Sequence, residues 1–572
     1  MNDVLRETGG GFSAGQKEYL EGFFSGIRVR GASFADAEPL PEREAKPAKL
    51  TKEEKIKNEL HPLDAFGELR RKAREGLAPE PEDIFRFKSN GIFWLAPVHD
   101  GYMCRLRIPG GMLKAFQFRE LGRIARDLAS GYVQITTRSN TQIRVIQPAD
   151  TTELLRRIEA VGLHARGSGA DNVRNLTISP TAGIDPHELI DTAPLVRDLA
   201  QVIMNDREFY NLPRKFNISF SGGGLISTAE DTNDIGMRAV RIGGEVFFQI
   251  LLGGVTGHQE WAEHSGVICR PEQVVEVAAA ITKVFARHGN RGNRGKARLV
   301  YLLKDWGVEK FIGEAETLLG YSLERSPIDD PGIEAEELPE VPHAHLGVHP
   351  QKQDGLHYIG LSTPVGLVEA DAVEAIADIA ERYGDGELRL TIFENVLIPN
   401  IPTADLEAAK EALAAAGVGY GASNLRGGLV ACTGNRYCKY AAADTKGHGV
   451  ALTEFLDTQI ELDCPINIHV TGCPHSCAQH YIGDIGLLGC KVADEGGESV
   501  EGFHLFVGGG FGHKKQFGRQ LFKSLRAGEE LQRHVLGLLQ AYQASCLDGQ
   551  AFQAWVLEQP ADELVAMVES RL

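Results

Sequence analysis

The sequence predicts an α+β chain that contains one unit twice, as a pseudo-twofold pair. Landmarks recur at a fixed offset of 255 residues. Pro109 and Pro364 stand in IPGG and TPVG, Asn140 and Asn395 in TTRSNTQIRV and TIFENVLIPN, and Phe248-x4-Gly253-Gly254 answers Phe503-x4-Gly508-Gly509. Two further pairs drift by a few residues, as loops allow: Val173-Arg174 against Leu425-Arg426, and NISFSG at 217–222 against NIHVTG at 467–472. Each copy reads as a smaller sheet-rich piece followed by a larger mixed piece.

Taken in order, residues 1–75 are polar and charged, with helical spacing in GQKEYLEGFFSGI and KEEKIKNELHPLDAFGELRRKA, and are expected to wrap the rest. The first copy follows as a smaller piece at 76–165 and a larger one at 166–325. SPIDDPGIEAEELPEVPHAH, rich in proline and acid, marks a linker over 326–348. The second copy comprises 349–420 and 421–572, the last stretch ending in helices. IFWLAPV and VFFQILLGGV are core strands by length, and no apolar run approaches the ~18 residues that span a bilayer. A hydrophobic content of 43% and a formal charge of −18 describe a soluble globular protein with no membrane partner and no general affinity for nucleic acid. MNDVLRETGG is polar and acidic and the nine cysteines are an odd count, so disulfides are not expected and a reducing cytoplasm is.

The copies differ in chemistry, the second holding four cysteines in two pairs: Cys432-x5-Cys438 in CTGNRYC and Cys473-x3-Cys477 in TGCPHSC. Thiolates are the soft ligands that an iron-sulfur cluster requires. Pro474 reads as the first position of a helix with Cys473 as its N-cap, which would put Cys473 and Cys477 one turn apart on one face. Gly434-Asn435 lets the first loop bend so that its two sulfurs converge. A structural zinc site is the competing reading; the x3 spacing permits it and the x5 spacing fits it poorly.

The first copy holds the basic residues. In GYMCRLRIPG, period two places Arg105 and Arg107 on one strand face and Cys104 in the core. The same arithmetic aligns Arg138, Asn140, Gln142 and Arg144 in GYVQITTRSNTQIRVI, and sets Lys215 and Asn217 opposite Phe216, Ile218 and Phe220 in LPRKFNISF. Arg174 lies in the turn-like DNVRN, and RHGNRGNRGKAR crowds Arg287, Arg291, Arg294, Lys296 and Arg298 among glycines. So many cations in one half of an acidic chain point to a highly anionic ligand, since arginine binds carboxylates and oxyanions bidentately.

EKIK, MCRLRIPGG, TTRSNTQIR, SGADNVRN, LPRKFN, RGNRGKAR, HPQKQ, CTGNRYC and TGCPHSC, in that order between about residues 16 and 520, resemble the siroheme-containing nitrite and sulfite reductases, most closely the assimilatory ferredoxin-nitrite reductases. The resemblance implies the nitrite/sulfite reductase fold: ferredoxin-like half-domains plus two larger mixed α/β domains around a central siroheme, bridged through one cysteine sulfur to a 4Fe-4S cluster. It implies Cys432, Cys438, Cys473 and Cys477 as cluster ligands, with Cys477 bridging. Arg138, Gln142 and Arg214 resemble siroheme contacts, as do Arg294 and Lys296; Arg107, Asn140 and Arg144, on the polar strand faces, are counted with them. Arg105, Arg174, Lys215 and Asn217 are implied on the side where substrate binds.

The implied reaction is the assimilatory six-electron reduction of nitrite to ammonium, which needs fixed positive charge and proton donors. Sulfite reductases resemble this motif with a second lysine where Asn217 stands, so nitrite is the expected anion and sulfite the alternative. Ser139 replaces the family's usual glutamine, and Cys104 its usual methionine or leucine. Neither SGGGL nor VGGGFG has the context of a nucleotide fingerprint, so electrons are expected from a ferredoxin, or a flavodoxin, docking on basic residues such as those among 287–298 that do not face siroheme. Internal duplication makes a monomer the expected state. A non-catalytic iron-sulfur carrier is the reading from another class, and it leaves the basic strand faces unexplained.

Overall fold

Helix-favouring polar residues open the described chain. In the computed structural model, which describes residues 50–327, 332–334, 338 and 343–572, the Thr51 hydroxyl accepts from Glu54 N at 3.3 Å and caps α1 (Lys52–Glu59). After α2 (Phe66–Glu75), Gly76 turns the chain at a φ of 66°. The helical reading of 52–73 is realised here; GQKEYLEGFFSGI lies outside the described residues, as do 328–331, 335–337 and 339–342 of the proline-rich stretch. The short α3 (Pro81–Arg86) leads into the first copy.

Its small piece runs β1 (Ile92–Trp94), β2 (Tyr102–Arg105), β3 (Met112–Lys114), α4 (Ala115–Leu128), β4 (Tyr132–Thr136), β5 (Asn140–Ile146) and α5 (Thr151–Ala160). The larger piece has β6 (Thr177–Ile178), α6 (Ala193–Asn205), β7 (Ile218–Ser221), β8 (Ile235–Ile242), β9 (Glu245–Leu252), β10 (Glu263–Cys269), α7 (Val274–His288), α8 (Leu299–Trp306), α9 (Val308–Leu319) and β11 (Glu324–Arg325). The second copy repeats the plan with β12 (Gly347–Pro350), β13 (Leu356–Leu361), β14 (Leu367–Glu369), α10 (Ala370–Tyr383), β15 (Glu387–Leu390), β16 (Val396–Pro402) and α11 (Leu406–Ala415). Then follow β17 (Leu429–Ala431), α12 (Thr445–Gln459), β18 (Ile468–Thr471), β19 (Ile485–Ala493), β20 (Ser499–Val507), β21 (Arg519–Arg526), α13 (Glu529–Ser545), α14 (Phe552–Glu558) and α15 (Ala561–Glu569). Helices α4 and α10, and α7 and α13, begin at the same offset that separates Asn140 from Asn395.

The two small sheets exchange strands. One has the order β1-β2-β5-β4-β14 and the other β12-β13-β16-β15-β3, so each copy lends its short strand to the other's edge. Val368 of β14 pairs with Val133, and Leu113 of β3 with Leu388. Beneath both sheets α4 packs on α10, and one core of fully buried side chains, including Leu121, Ile124, Val373 and Ile376, joins the copies. Burial of that many aliphatic groups, at about 25 cal/mol per Å², is what fixes the pairing. Arg119 adds paired bonds to Asp378 and Glu381 at the helix surface.

Each larger piece has a mixed sheet. Strands β6, β7 and β8 are parallel and β9 and β10 antiparallel; β17, β18 and β19 are likewise parallel, followed by antiparallel β20 and β21. Parallel strands are covered on both faces, hence Ile218, Phe220, Ile235 and Met237 in one core and Ile468, Val470, Ile485 and Leu487 in the other. Among the described residues no helix is long and apolar enough to cross a membrane.

Candidate functional site

A cavity of about 380 Å³ lies between the copies, where Arg105, Arg138, Arg174, Lys215 and Asn217 of the first face Cys432 and Cys477 of the second. Arg105, the last residue of β2, lies with its guanidinium 4.7 Å from the centre of the Phe93 ring. Arg138 occupies the turn between β4 and β5, where Ser139 takes a φ of 46°. Asn175 Nδ2 donates to the carbonyls of Arg138 and Ser139 at 3.0 and 3.1 Å and holds that turn, while Arg138 Nη1 donates to Asn233 Oδ1 at 3.0 Å. Arg174 Nη1 donates to Ser168 O at 2.9 Å. Lys215 and Asn217 are presented by the segment entering β7, with Phe216, Ile218 and Phe220 in the core opposite, as period two requires.

Among the described residues neither Arg105, Arg138, Arg174 nor Lys215 makes an ion pair, and burial lowers the pKa of each. Lys215 is pulled down to about 7, by burial first and by Arg298 second. Asn217 donates its N–H to Asp234 Oδ2 at 2.8 Å, and its own Oδ1 is buried without a partner. Glu394 is the one acid in the wall among the described residues; burial raises it to about 7 against the pull of Lys446.

The four cysteines come together at the ends of β17 and β18. Cys432 follows Ala431, and its sulfur accepts from Gly472 N at 3.3 Å. Gly434, at a φ of 68°, lets the Cys438 N–H return to its carbonyl at 3.1 Å. Burial raises the Cys432 and Cys473 thiols to about 11, with a smaller contribution from Cys477. Among the described residues no three His, Cys, Asp or Glu side chains group as a site for one metal ion. Of the four, only Cys432 and Cys477 line the cavity, and Cys477 is the exposed one. The charge of Cys477 is also the one felt by Arg105, Arg138 and Lys215.

Several sequence expectations are corrected. TGCPHSC forms no helix: Ser476 N returns to Cys473 O, Gln479 N to Ser476 O, and Ser476 and Gln479 are left-handed at φ 52° and 56°. Two successive turns therefore shape the loop, and no helix dipole acts on it. Arg107 is not on the face of Arg105, because β2 stops at Arg105 and Arg107 N pairs with His164 O. Its guanidinium donates to the carbonyls of Arg166, Gly167, Val173 and Arg174, which makes it an internal brace outside the cavity wall. Arg144 braces the first cysteine loop, donating to Gln134 Oε1, Gln142 Oε1 and Thr433 Oγ1 and lying over Tyr437. Asn140 lines the cavity beside Gln142, but its side chain is committed to Leu106 O and Thr141 N.

The glycine-rich basic run is not a free patch. Arg287 binds Glu208, Arg291 binds Glu54, Arg294 grips Asp171 with two bonds of 2.8 Å, and Arg298 grips Asp234. Arg214 stands 4.0 Å from Asp171, and neither it, Arg294 nor the exposed Lys296 is in the cavity wall. Sequence reasoning missed Arg298, Glu394, Thr137 and Gln479 as wall residues. Thr137 Oγ1 donates to Cys477 O at 3.1 Å and Gln479 Nε2 to Thr232 Oγ1 at 2.8 Å, tying the cysteine loop to the first copy. No local pattern marks such contacts.

Among the described residues four positions that correspond to this wall across the repeat are apolar. The 255-residue offset places Phe393 and Phe511 where the cavity has Arg138 and Thr256, and the NISFSG offset places Leu225 and Ile226 where it has His475 and Ser476. These four side chains meet in a small apolar cluster with Ala344 and Val430, and His345 stacks on Phe393 at 4.4 Å.

Comparison with known proteins matches residues 169–323 and 422–572 to the nitrite and sulphite reductase 4Fe-4S domain, and 97–161 and 349–416 to the nitrite/sulfite reductase ferredoxin-like half domain. The ferredoxin–nitrite reductase of Synechococcus elongatus is 37% identical over 484 residues, covering 82% of this chain and 93% of that protein. The assimilatory ferredoxin-dependent nitrite reductase of Haloferax mediterranei is 32% identical, over 91% of this chain and 93% of its own. The structure of the Mycobacterium tuberculosis NirA protein superposes with a TM-score of 0.83 at 29% identity, covering 90% of this chain and 98% of that one. The chain belongs to the nitrite and sulfite reductase family, with the duplicated fold of ferredoxin-like half-domains and larger mixed domains.

Proposed function

We propose that this chain carries out the assimilatory six-electron reduction of nitrite to ammonium, using siroheme and a 4Fe-4S cluster and drawing electrons from reduced ferredoxin, as a monomer in a reducing cytoplasm. The observation that carries this reading is that half-buried cations, with no ion pair among the described residues, and an exposed cluster cysteine share one cavity.

The residues present fit both groups. Half-buried Arg105, Arg138, Arg174 and Lys215, which make no ion pair among the described residues, and the buried Asn217 Oδ1 without a donor, call for a polyanionic partner. Four thiols on two loops suit iron, and thiols held up by burial lose their protons when a metal binds. When bound, the siroheme supplies an iron that takes up nitrite and passes it electrons from the cluster.

This chain's own groups do the rest. Cys432, Cys438, Cys473 and Cys477 would hold the cluster, and Cys477, the exposed thiol beside the cations, would couple it to the siroheme. Arg138, Gln142 and Arg298, in the wall, would hold the cofactor's carboxylates. Arg105 and Arg174 fix the oxygens of nitrite, and their burial makes each bond stronger than it would be in water. Lys215, its pKa brought to about 7 by burial, gives up a proton from Nζ to an oxygen leaving as water. Asn217 completes the pocket without adding a charge, which suits the singly charged nitrite.

The purified protein should show tetrapyrrole absorption bands over a broad cluster band and reduce nitrite faster than sulfite. A cluster band alone would defeat the reductase reading, and faster turnover of sulfite would make it a sulfite reductase.

A further inference from the structure

Among the described residues Glu394 is the one carboxylate in the wall of a cationic cavity. It sits between β15 and β16 at a φ of 63°, a conformation uncommon for a side-chain-bearing residue. It is 2% exposed. Its Oε2 accepts from Ala431 N at 3.2 Å and lies 3.5 Å from Lys446 Nζ, in the first turn of α12. Lys446 also donates to Ala431 O at 2.9 Å and to Val365 O. Both backbone polar groups of Ala431 are therefore held by this one pair.

Ala431 immediately precedes Cys432. The neighbouring Thr445 donates to Cys432 O at 2.6 Å, so two consecutive residues of α12 and one acid from the second small sheet fix the chain at this ligand. The first copy has no such device. At the matching position Ser139 keeps a left-handed φ of 46°, but its hydroxyl is buried without a partner, and α6 begins Ala193-Pro194 with no lysine. Among the described residues the clamp exists only in the copy that carries the four cluster cysteines.

We infer that Glu394 and Lys446 form a clamp that orients Cys432 and sets the charge around the cluster, which makes Glu394 a positioning residue for electron transfer; this rests on the cluster reading above. A buried ammonium beside Ala431 would otherwise stand uncompensated next to the cluster, favouring its reduced form. The carboxylate cancels that charge and supplies the acceptor that keeps Ala431 in register. Groups that hold a metal ligand in this way commonly matter 10–100-fold to metal affinity.

The test uses the holoenzyme at alkaline pH, where the carboxylate is ionised. E394Q keeps the acceptor and the shape but not the charge; its iron and labile sulfide should match the wild type while the cluster's midpoint potential moves positive. In E394Q/K446M the potential should return toward the wild-type value. E394A lacks the acceptor and should lose iron to a chelator about 10-fold faster, with an unchanged circular dichroism spectrum. A wild-type potential in E394Q, or wild-type iron retention in E394A, overturns the inference. Wild-type protein that lacks iron and labile sulfide would instead sink the cluster reading, whatever the variants do.

Discussion

Replacing Asp171 by asparagine should destabilise the first copy by about 3 kcal/mol, because its carboxylate is the shared counter-charge of three cations. Only 1% of that side chain is exposed. It accepts two 2.8 Å bonds from Arg294, lies 3.6 Å from Lys57, itself 1% exposed, and 4.0 Å from Arg214. Removing one member of a buried ion pair typically costs about 3–5 kcal/mol, since the partner is left charged and unpaired. Glu54 still meets Lys57 at 2.5 Å and Glu53 meets Arg294 at 3.4 Å, which places the cost at the lower end. At a urea slope of about 3 kcal/mol/M the unfolding midpoint should fall by about 1 M. Glu153→Gln, which breaks the exposed pair with Arg156, is the control and should change stability by less than about 0.5 kcal/mol. Salt separates the two, because about 1 M salt screens exposed pairs and not buried ones. A midpoint change below about 0.3 M for Asp171→Asn, or a loss that vanishes in high salt, would refute the reasoning.

Cys477→Ser should lose both the cluster and the tetrapyrrole bands, as iron analysis and the absorption spectrum will report; tetrapyrrole bands of wild-type intensity would show that another cysteine makes the bridge. Lys215→Ala should keep both groups and lower turnover about 10²–10⁴-fold. Because burial brings the Lys215 ammonium down to about 7, the wild-type rate should fall as pH rises through that value and the proton leaves; the variant's residual rate should be flat there, and a parallel decline would remove Lys215 as the acid. Asn217→Lys adds a charge where Oδ1 has no partner, and should shift the ratio of kcat/KM for sulfite over nitrite upward about 10-fold; an unmoved ratio would place selectivity elsewhere.

The duplicated plan was legible because both copies keep the spacing between their elements, so Pro109, Asn140 and Phe248 find their partners at one offset. Period two also read correctly through Lys215 and Asn217, where a regular strand follows a core residue. It failed at Arg107, because strand β2 ends two residues earlier and a bridge to His164 turns the side chain inward. The reading of TGCPHSC failed for a similar reason: Pro474 is compatible with a turn as with a helix, and the left-handed Ser476 chooses the turn. The run at 287–298 looked like a free basic patch because its acids, Glu54, Asp171, Glu208 and Asp234, lie far away in sequence. The same distance hid Arg298 and Glu394 from the site. What a local window sees is spacing; what it cannot see is which charge a fold has already answered.

The strand exchange between the small sheets bears on the order of events during synthesis. Strand β4 waits for β14, and β15 recruits β3, which emerged long before it. Contacts that distant in sequence close slowly, since the intervening chain must first be ordered. The first copy thus leaves the ribosome with one sheet edge open, and the cavity wall that Arg138 and Gln142 supply sits on that unfinished sheet. Prosthetic groups can be received only after the second copy has been made, and a truncated chain ending between the copies would expose an edge ready to pair with its neighbours.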